Sequence, residues 1–331
     1  MTYALLNTPV LLTASLLLAC VCIDANMGKI PKDKQTCQEL GLQGECVETH
    51  DCLCLCYTVT AKGTSVEAAY FGELGYELLL YSPSIYYLHM LGSLKKTIGP
   101  SGSAAYNYFS PNHTELTVPR RWCPGTYTHH YLHRVPFDYT SWQPAPYKKH
   151  FKNTKLKYKK PLVIIHNKFA REWADPPVNF IDIPTLMQLA EFLKLQYTVV
   201  YIRPTPRLEG YSTDSNEMLQ FNDHEELRRV HPEVLFFHEL MERHHEHDFN
   251  KLQLMLHANC DYFISTQGGN SVIASYFAGT NVIYAVKGHE LESDLAYKEL
   301  YPRLAMDSRK HGVIQHVRTY DELLTFVRQN F

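Results

Sequence analysis

A loop of two glycines among polar residues, TQGGNS at positions 266–271, joins a strand-like run to a helix-like run. A helix start leaves backbone N–H groups without partners and carries a partial positive charge, which together favour phosphate or another anion. Glycines lack the Cβ atom that would hold an anion away from the backbone. The alternative interpretation is a tight turn with no ligand. The residues that we predict to bind a phosphorylated ligand here are Gln267, Gly268, Gly269, Asn270 and Ser271, with Asn270 or Ser271 also capping the helix.

Basic side chains follow two other predicted strands. His166 ends the strand PLVIIH and Lys168 lies just beyond it, while Arg203 ends the strand TVVYIR. A lysine or a planar guanidinium can neutralise phosphate oxygens as their charge grows. We therefore predict that Lys168 and Arg203 bind phosphate and that His166 donates to phosphate or to a sugar hydroxyl. A solvated lysine, an ordinary loop histidine and a structural ion pair of Arg203 are the alternatives.

Metal ligation has weaker support in the sequence. His244, His245 and His247 lie together, but adjacent helical residues point to different faces and no second cluster completes a tetrahedral site. No D-x-D triplet occurs either. We therefore expect no metal cofactor.

The elements that position these residues follow a regular pattern from Pro161 onward. Runs of β-branched residues alternate with segments of helical spacing, which predicts a parallel sheet covered by helices on both faces. The segment DIPTLMQLAEFLKL, from Asp182, has a helix N-cap residue followed two positions later by proline. Earlier in the chain, FGELGYELLL from Phe71 predicts a glycine loop that enters a helix, which Pro83 would end or kink. Residues 136–160, with prolines and then lysines, are interpreted as the linker between two lobes.

The N-terminal region has features of an exported protein. Val10 to Ile23 form an apolar stretch that suits a signal peptide or, less well, a membrane anchor, since the positive charges follow it. Five of the nine cysteines occupy positions 37–56, where disulfides are favoured over a metal site in an oxidising compartment. Asn112 lies in a glycosylation sequon. We predict a signal or anchor at 1–25, a cysteine-rich stem at 26–60, a first lobe with its linker at 61–150 and a second lobe at 151–331.

The unit FISTQGGNSVIASYFAGTNVIYAV resembles the C-terminal lobe of glycosyltransferases of the GT-B fold, including heptosyltransferase-like and family 61-like enzymes. The first-lobe motif FGELGYELL is similar to a G-x-x-G-x-E/Q loop of several such transferases, including fucosyltransferase-like ones. This resemblance implies an α/β protein of two Rossmann-like lobes, which binds the diphosphate of a nucleotide-sugar in its C-terminal lobe. A dinucleotide-binding dehydrogenase fits less well, because no G-x-G-x-x-G follows a first strand.

Transfer to a hydroxyl group requires a base that takes its proton. Glu73 is the first candidate and Glu77 the second, with a helix-cap carboxylate as the alternative for Glu73. Glu290 follows the last strand of the motif, where a carboxylate can bind ribose hydroxyls. The expected partners are a nucleotide-sugar donor and a glycan or glycoprotein acceptor.

The predicted function is sugar transfer in the secretory pathway, with membrane association only through the N-terminal segment. The net charge of −2 gives no overall field that would select nucleic acid. The alternatives are a non-catalytic glycan-binding or scaffold protein, a pyruvyl or phosphosugar transferase on a similar fold, and a disulfide-rich extracellular interaction protein.

Overall fold

The computed structural model describes residues 40–49, 53–60, 63–118, 120, 139–204, 218–277, 279–291, 296–305 and 312–331. The chain divides into two compact units, the first ending at Ala145 and the second beginning at Pro146. The predicted signal or anchor segment lies outside the described residues, as do residues 26–39 and 50–52 of the predicted stem.

The first unit contains a five-stranded mixed sheet in the order β1-β2-β3-β4-β5. The first three strands pair antiparallel, while β3, β4 and β5 pair parallel, so this sheet is only partly of the predicted parallel type. Residues expected in the stem supply β1 and β2, which are therefore part of the same sheet as the following strands. The strands are β1 (Glu45–Thr49), β2 (Leu53–Thr60), β3 (Gly63–Tyr70), β4 (Leu94–Pro100) and β5 (His113–Leu116).

Between β3 and β4 the chain forms the predicted helix, although Pro83 does not end it. Helix α1 (Leu74–Tyr76) passes into a π-helical turn (Glu77–Tyr81) and then into α2 (Ser82–Met90). Pro83 lies in the first turn of α2, where the N–H that proline lacks is not needed for the regular helical ladder. The change of hydrogen-bonding pattern just before Pro83 lets the helical segment continue to Met90.

The second unit contains a six-stranded sheet whose neighbouring strands are all parallel. Its order, β11-β10-β9-β6-β7-β8, is the 3-2-1-4-5-6 order of the dinucleotide-binding fold read from the opposite edge. The order reverses between β6 and β9, which makes their carboxyl ends the topological switch point. The strands are β6 (Leu162–His166), β7 (Thr198–Ile202), β8 (Leu235–Phe236), β9 (Cys260–Thr266), β10 (Thr280–Tyr284) and β11 (Val313–Val317).

Helices cover this sheet, which confirms the predicted α/β class. Alternate strand residues such as Val163, Ile165 and Ile264 join one buried cluster with apolar residues of the helices at 183–193 and 320–330. The intervening residues are buried too, and Phe263 stacks on His257. Strands with both faces covered read as continuous apolar runs, as PLVIIH does. The helices are α3 (Tyr147–Phe151), α4 (Ile183–Leu193), α5 (Asp223–Val230), α6 (Phe237–His244), α7 (Phe249–His257), α8 (Gly269–Ser275), α9 (Tyr301–Leu304) and α10 (Tyr320–Asn330).

The predicted start of α4 is confirmed. The Asp182 carboxylate accepts a hydrogen bond of 2.9 Å from the Thr185 amide, and Pro184 occupies the first turn. This cap satisfies one of the amides that a helix start leaves without a partner.

The described residues include only some of the cysteines that bear on the disulfide prediction, and they do not include the predicted signal or anchor segment. Cys56 is buried and takes part in a disulfide, whereas Cys260 is a buried free thiol. The wider disulfide network of the N-terminal cysteines stays a prediction. Within the described residues no helix has both the length and the apolar character needed to cross a membrane.

Candidate functional site

The loop that follows β9 lies at the switch point, beside the loop that follows β6. Gly268 has φ +116° and ψ −164°, a backbone conformation that is essentially restricted to glycine. Within the described residues, no hydrogen bond is made by the backbone amides of Gly269 and Asn270, the first residues of α8. These two amides are among the groups that the sequence predicts to bind an anion.

Ser271 differs from its predicted role as a ligand contact. Its hydroxyl donates a 2.7 Å hydrogen bond to the carbonyl of Gly268, and the residue is fully buried. The side chain therefore closes the turn itself.

A buried polar network holds α8 against the sheet. The Ser265 hydroxyl donates to the Asn281 side-chain oxygen, while the Asn281 amide donates to the Ser271 carbonyl and the Ser275 hydroxyl, at 2.8–3.1 Å. At the turn into β10, Gly279 has φ +90°, and a Cβ there would lie 2.0 Å from the Asp261 carbonyl oxygen. The position of α8 is thus fixed on both sides, which keeps its first turn in place.

Lys168 reaches this first turn from the end of β6. Its Nζ atom lies 3.7 Å from the point where a Cβ would stand on Gly268. The same ammonium group forms an ion pair with Glu172, and both side chains are about three-quarters buried, with relative exposures of 24% and 22%. The structure therefore brings together Lys168 and Gly268, two residues that are 100 positions apart and both predicted to bind phosphate.

Gln267 links the loops that follow β6, β9 and β10. Its side-chain oxygen accepts from Asn179 at 3.1 Å, and its amide donates to the Glu290 carboxylate at 2.6 Å. The Asn179 oxygen in turn accepts from the Val286 and Lys287 amides at 2.8 and 3.1 Å. Gln267 is nearly fully buried, so it acts here as a link between loops, and Glu290 is the partly exposed end of this chain of contacts.

The carboxylates of this site influence each other. Burial raises the pKa of Glu290, the hydrogen bond from Gln267 opposes this shift, and the negative charge of Glu172 adds to it. Beside them, Trp173 packs edge-on against His289 with ring centroids 5.2 Å apart. The buried indole N–H of Trp173 has no hydrogen-bond partner among the described residues. Residues 168–179, 267–269 and 286–290 thus form one loop cluster. It contains the Lys168 ammonium group, the carboxylates of Glu172 and Glu290, and the indole N–H of Trp173.

His166 is fully buried, which excludes the predicted contact with substrate in this conformation. Its Nε2 lies 2.7 Å from Nε2 of His257, whose Nδ1 lies 2.6 Å from the Gln253 carbonyl oxygen. Burial lowers the pKa of both imidazoles, that of His257 to about 3. Both rings are therefore neutral. The Nδ1–H group of His257 donates to the Gln253 carbonyl, and the Nε2–H group of His166 donates to Nε2 of His257.

Arg203 is also placed differently from the prediction. Its Nε lies 2.6 Å from the Asp223 carboxylate, and its Nη2 donates to the Phe221 carbonyl. The two charged side chains are 3% and 0% exposed. Tyr201 also donates a hydrogen bond to Asp223. The structural ion pair, the alternative interpretation of Arg203, is the one that the structure shows.

The two predicted base candidates of the first unit have different surroundings. Glu77 is 1% exposed and forms an ion pair of 2.5 Å with the equally buried Arg120, whose Nη1 also donates to the Gly72 carbonyl. Glu73 is the N-cap residue of α1, is partly exposed and makes no side-chain capping bond. A base must contact the acceptor, so the buried Glu77 is wrongly placed and Glu73 stays the candidate.

Sequence reasoning missed Glu172, Asn179 and His257. The spacing of Lys168 and Glu172, four residues apart, is a typical ion-pair spacing and was an available signal. Asn179 and His257 join the site or its support only through tertiary contacts. No group of three or more side chains suited to hold a metal ion occurs among the described residues.

Comparison with known proteins gives only distant similarities. No protein-family model and no curated protein matches the chain. The chain is similar to the structure of Escherichia coli heptosyltransferase WaaC with ADP, at 10% identity and a TM-score of 0.32, over 72% of this chain and 73% of that one. It is also similar to a family 9 glycosyltransferase from Veillonella parvula, at 11% identity and a TM-score of 0.32, over 76% and 70% of the two chains. At these values the similarities transfer neither a site nor an activity to this chain.

Proposed function

We propose that this protein is a glycosyltransferase that binds a nucleotide-sugar at the switch point of its second unit. The single observation that carries the proposal is the position of Lys168 Nζ beside Gly268, at the carboxyl ends of β6 and β9. Sheets of this strand order bind nucleotides at that point. A cation next to bare backbone is suited to a diphosphate, which needs both hydrogen-bond donors and positive charge.

The donor diphosphate would contact the Gly269 and Asn270 amides and the Lys168 ammonium group. Glu172 forms an ion pair with Lys168 in the structure, so donor binding would exchange one anion for another at the same cation. Glu290 would accept hydrogen bonds from ribose hydroxyls, since it is partly exposed and held by Gln267. During transfer, Lys168 and the amides would stabilise the negative charge that develops on the departing nucleotide.

Glu73 is the proposed base for the acceptor hydroxyl, and the acceptor is proposed to be a glycan or glycoprotein. The sequence features of the N-terminal region support a place in the secretory pathway, with any membrane association through that segment. The reaction is proposed to need no metal cofactor, because the cationic and backbone groups named above face the diphosphate.

The first test is calorimetric titration of the full chain with UDP-, GDP-, CMP- and ADP-sugars. We expect saturable binding of one nucleotide class, weakened by about tenfold or more in Lys168→Ala and kept in Lys298→Ala, which changes a lysine of the same unit outside this loop cluster. If no nucleotide-sugar binds, or if Lys168→Ala binds as well as the wild type, the donor site is wrong. A nucleotide bound without its sugar being transferred to any glycan would instead favour a non-catalytic relative.

A second test separates the base from the donor site. Glu73→Gln should keep the donor dissociation constant within about twofold and reduce turnover by about a hundredfold or more, the usual contribution of a general base. Glu77→Gln serves as the structural comparison, since it should lower thermal stability by breaking the buried pair with Arg120. Unchanged turnover in a folded Glu73→Gln protein would remove Glu73 from the mechanism.

A further inference from the structure

The segment 147–160, YKKHFKNTKLKYKK, is a lysine-rich surface rather than a flexible linker. It contains seven lysines and no acidic residue, although the chain as a whole has a net charge of −2. It belongs to the second unit and begins with the short helix α3. The local excess of positive charge is therefore concentrated in one stretch of an otherwise nearly neutral protein.

Apolar side chains fix this segment to the body of the unit. Tyr147, Phe151 and Leu156 are buried, and Tyr147 packs edge-on against Tyr276 with ring centroids 4.7 Å apart. All lysines of the segment are exposed except Lys148, which is partly exposed. The backbone therefore presents the lysines outward from anchored positions.

Two asparagines hold the turn that follows α3. The Asn153 side chain donates to the Met255 carbonyl at 2.8 Å and accepts from the Leu156 amide at 2.9 Å. The Asn259 side chain donates to the Leu156 carbonyl at 3.0 Å. These bonds tie the segment to the end of α7, so the charged surface does not have to be ordered when a partner binds.

Most of these charges are not neutralised within the described part of the chain. Lys148 pairs with Asp261 at 2.5 Å, and Lys155 and Lys160 donate to the backbone carbonyls of His244 and Lys194. No ion pair with a described residue is formed by Lys149, Lys152, Lys157 or Lys159. Arg243 adds to this surface, since its charge acts on the Tyr158 hydroxyl.

We propose that this surface, the 147–160 lysine surface, binds an anionic polysaccharide that carries sulfate or carboxylate groups. Lysine is a compact charge on a flexible stem and suits the irregularly spaced charges of such a polymer, whereas arginine suits fixed bidentate contacts. The array runs along one 13-residue stretch, which matches a linear chain. The proposal is independent of the donor site.

Two other kinds of polyanion fit the surface less well. Binding to a membrane surface is strengthened by apolar side chains that insert beside the basic ones, and none of the exposed large hydrophobic residues lies in this segment. Single-stranded nucleic acid stacks successive bases on several exposed aromatic side chains, but Tyr147 and Phe151 are buried here and Tyr158 is partly buried. Helix α3 has five residues, which is short for a helix that reads a DNA groove.

The test measures binding of the full chain to dextran sulfate, with uncharged dextran as the matched polymer. We compare the triple substitution Lys152→Gln, Lys157→Gln and Lys159→Gln with a charge-matched control, Arg229→Gln, Arg318→Gln and Arg328→Gln, which changes exposed cations elsewhere in the second unit. Wild type and control should bind dextran sulfate alike and ignore dextran. The lysine triple variant should bind about tenfold or more weakly at moderate salt, with a shallower dependence on salt concentration.

The outcomes separate the proposal from its rivals. Equal weakening in the control variant would show binding by overall charge alone and overturn the proposal. Capture by vesicles containing an anionic phospholipid, or by single-stranded RNA, in preference to dextran sulfate would also overturn it. Because the lysine side chains are exposed, the triple variant should keep the wild-type melting temperature, and a large loss would show that the segment is structural. Donor titration of the same variant should be unchanged, so failure here is distinct from failure of the donor site.

Discussion

Two neighbouring strands, β6 and β7, are each followed by a basic residue, but the structure gives these residues different roles. Lys168, after β6, is partly exposed beside Gly268 and pairs with the equally accessible Glu172. Arg203, after β7, pairs with a fully buried Asp223. A buried ion pair that loses one partner leaves an uncompensated charge in the interior, whereas an accessible pair can exchange its anion at small cost. The difference teaches that a cation at a strand end is a ligand candidate only when its internal partner can be replaced.

The largest expected effect concerns the buried ion pair of Arg203 and Asp223. Asp223→Ala should destabilise the protein by about 3–5 kcal/mol, because Arg203 then stays charged and buried without its partner. Urea denaturation of the two proteins measures this difference. The double substitution Arg203→Met with Asp223→Leu is the control and should recover a large part of the loss. A loss below about 1 kcal/mol in Asp223→Ala would show that the two pairs do not differ as described.

Gly268→Ala tests the backbone turn beside the Lys168 side chain. The φ of +116° places this residue where a side chain costs about 1–3 kcal/mol. We expect that loss of stability together with loss of nucleotide-sugar binding, measured by thermal unfolding with and without donor. Gly269→Ala is the matched control for the loss of stability, because Gly269 has no positive φ. If both variants behave like the wild type, the turn is not constrained as the structure indicates.

The sequence predicted well what local pattern and strand chemistry determine. The strand before Gly268, the glycine turn and the N-cap Asp182 are each encoded within a few neighbouring residues. The sequence also placed Lys168 at the same edge of the sheet as Gly268, since Lys168 follows a strand that reads as buried and parallel strands end at one edge.

What the sequence could not predict depends on partners distant in the chain. Arg203 and Lys168 follow similar strands, and only the tertiary position of Asp223 distinguishes them. His166 precedes Lys168 by two residues, yet its ring packs inward against His257, 91 positions later. Ser271 was expected to contact ligand because a hydroxyl suits that role, but its hydrogen bond to Gly268 becomes visible only with the turn geometry.

Acid pH provides a third test of the buried imidazole pair, because His166 lies two residues from Lys168 in the chain but, like Arg203, belongs to the interior. The pKa of His257 is lowered to about 3 by burial, and that of His166 is also lowered. In the unfolded chain both titrate near pH 6.5, so below this pH the unfolded state binds more protons. Stability should therefore be full above pH 6.5 and fall by about 1 kcal/mol per pH unit for each imidazole as the pH decreases toward 4.

Denaturation curves at pH 7, 6 and 5 measure this slope. His257→Gln is the matched variant, since an amide can accept from His166 and donate to the Gln253 carbonyl without titrating. It should reduce the slope by the contribution of one imidazole. Equal slopes in the two proteins would show that His257 is not buried in its neutral form.

The smallest expected effect concerns nucleotide-sugar binding at the accessible ion pair of Lys168 and Glu172. If a diphosphate displaces Glu172 from Lys168, Glu172→Gln should tighten nucleotide-sugar binding by a few-fold, because the competing internal anion is gone. Lys168→Gln should weaken binding by about tenfold, while its stability stays within about 1 kcal/mol of the wild type. Calorimetric titration at low and moderate salt measures both, with Asp175→Asn as the control, since Asp175 is exposed and pairs with Arg171. Weaker binding in Glu172→Gln would mean that Glu172 contacts the donor or positions Lys168 for it. The pair would then be a fixed part of the site, and the contrast with Arg203 and Asp223 would be one of exposure alone.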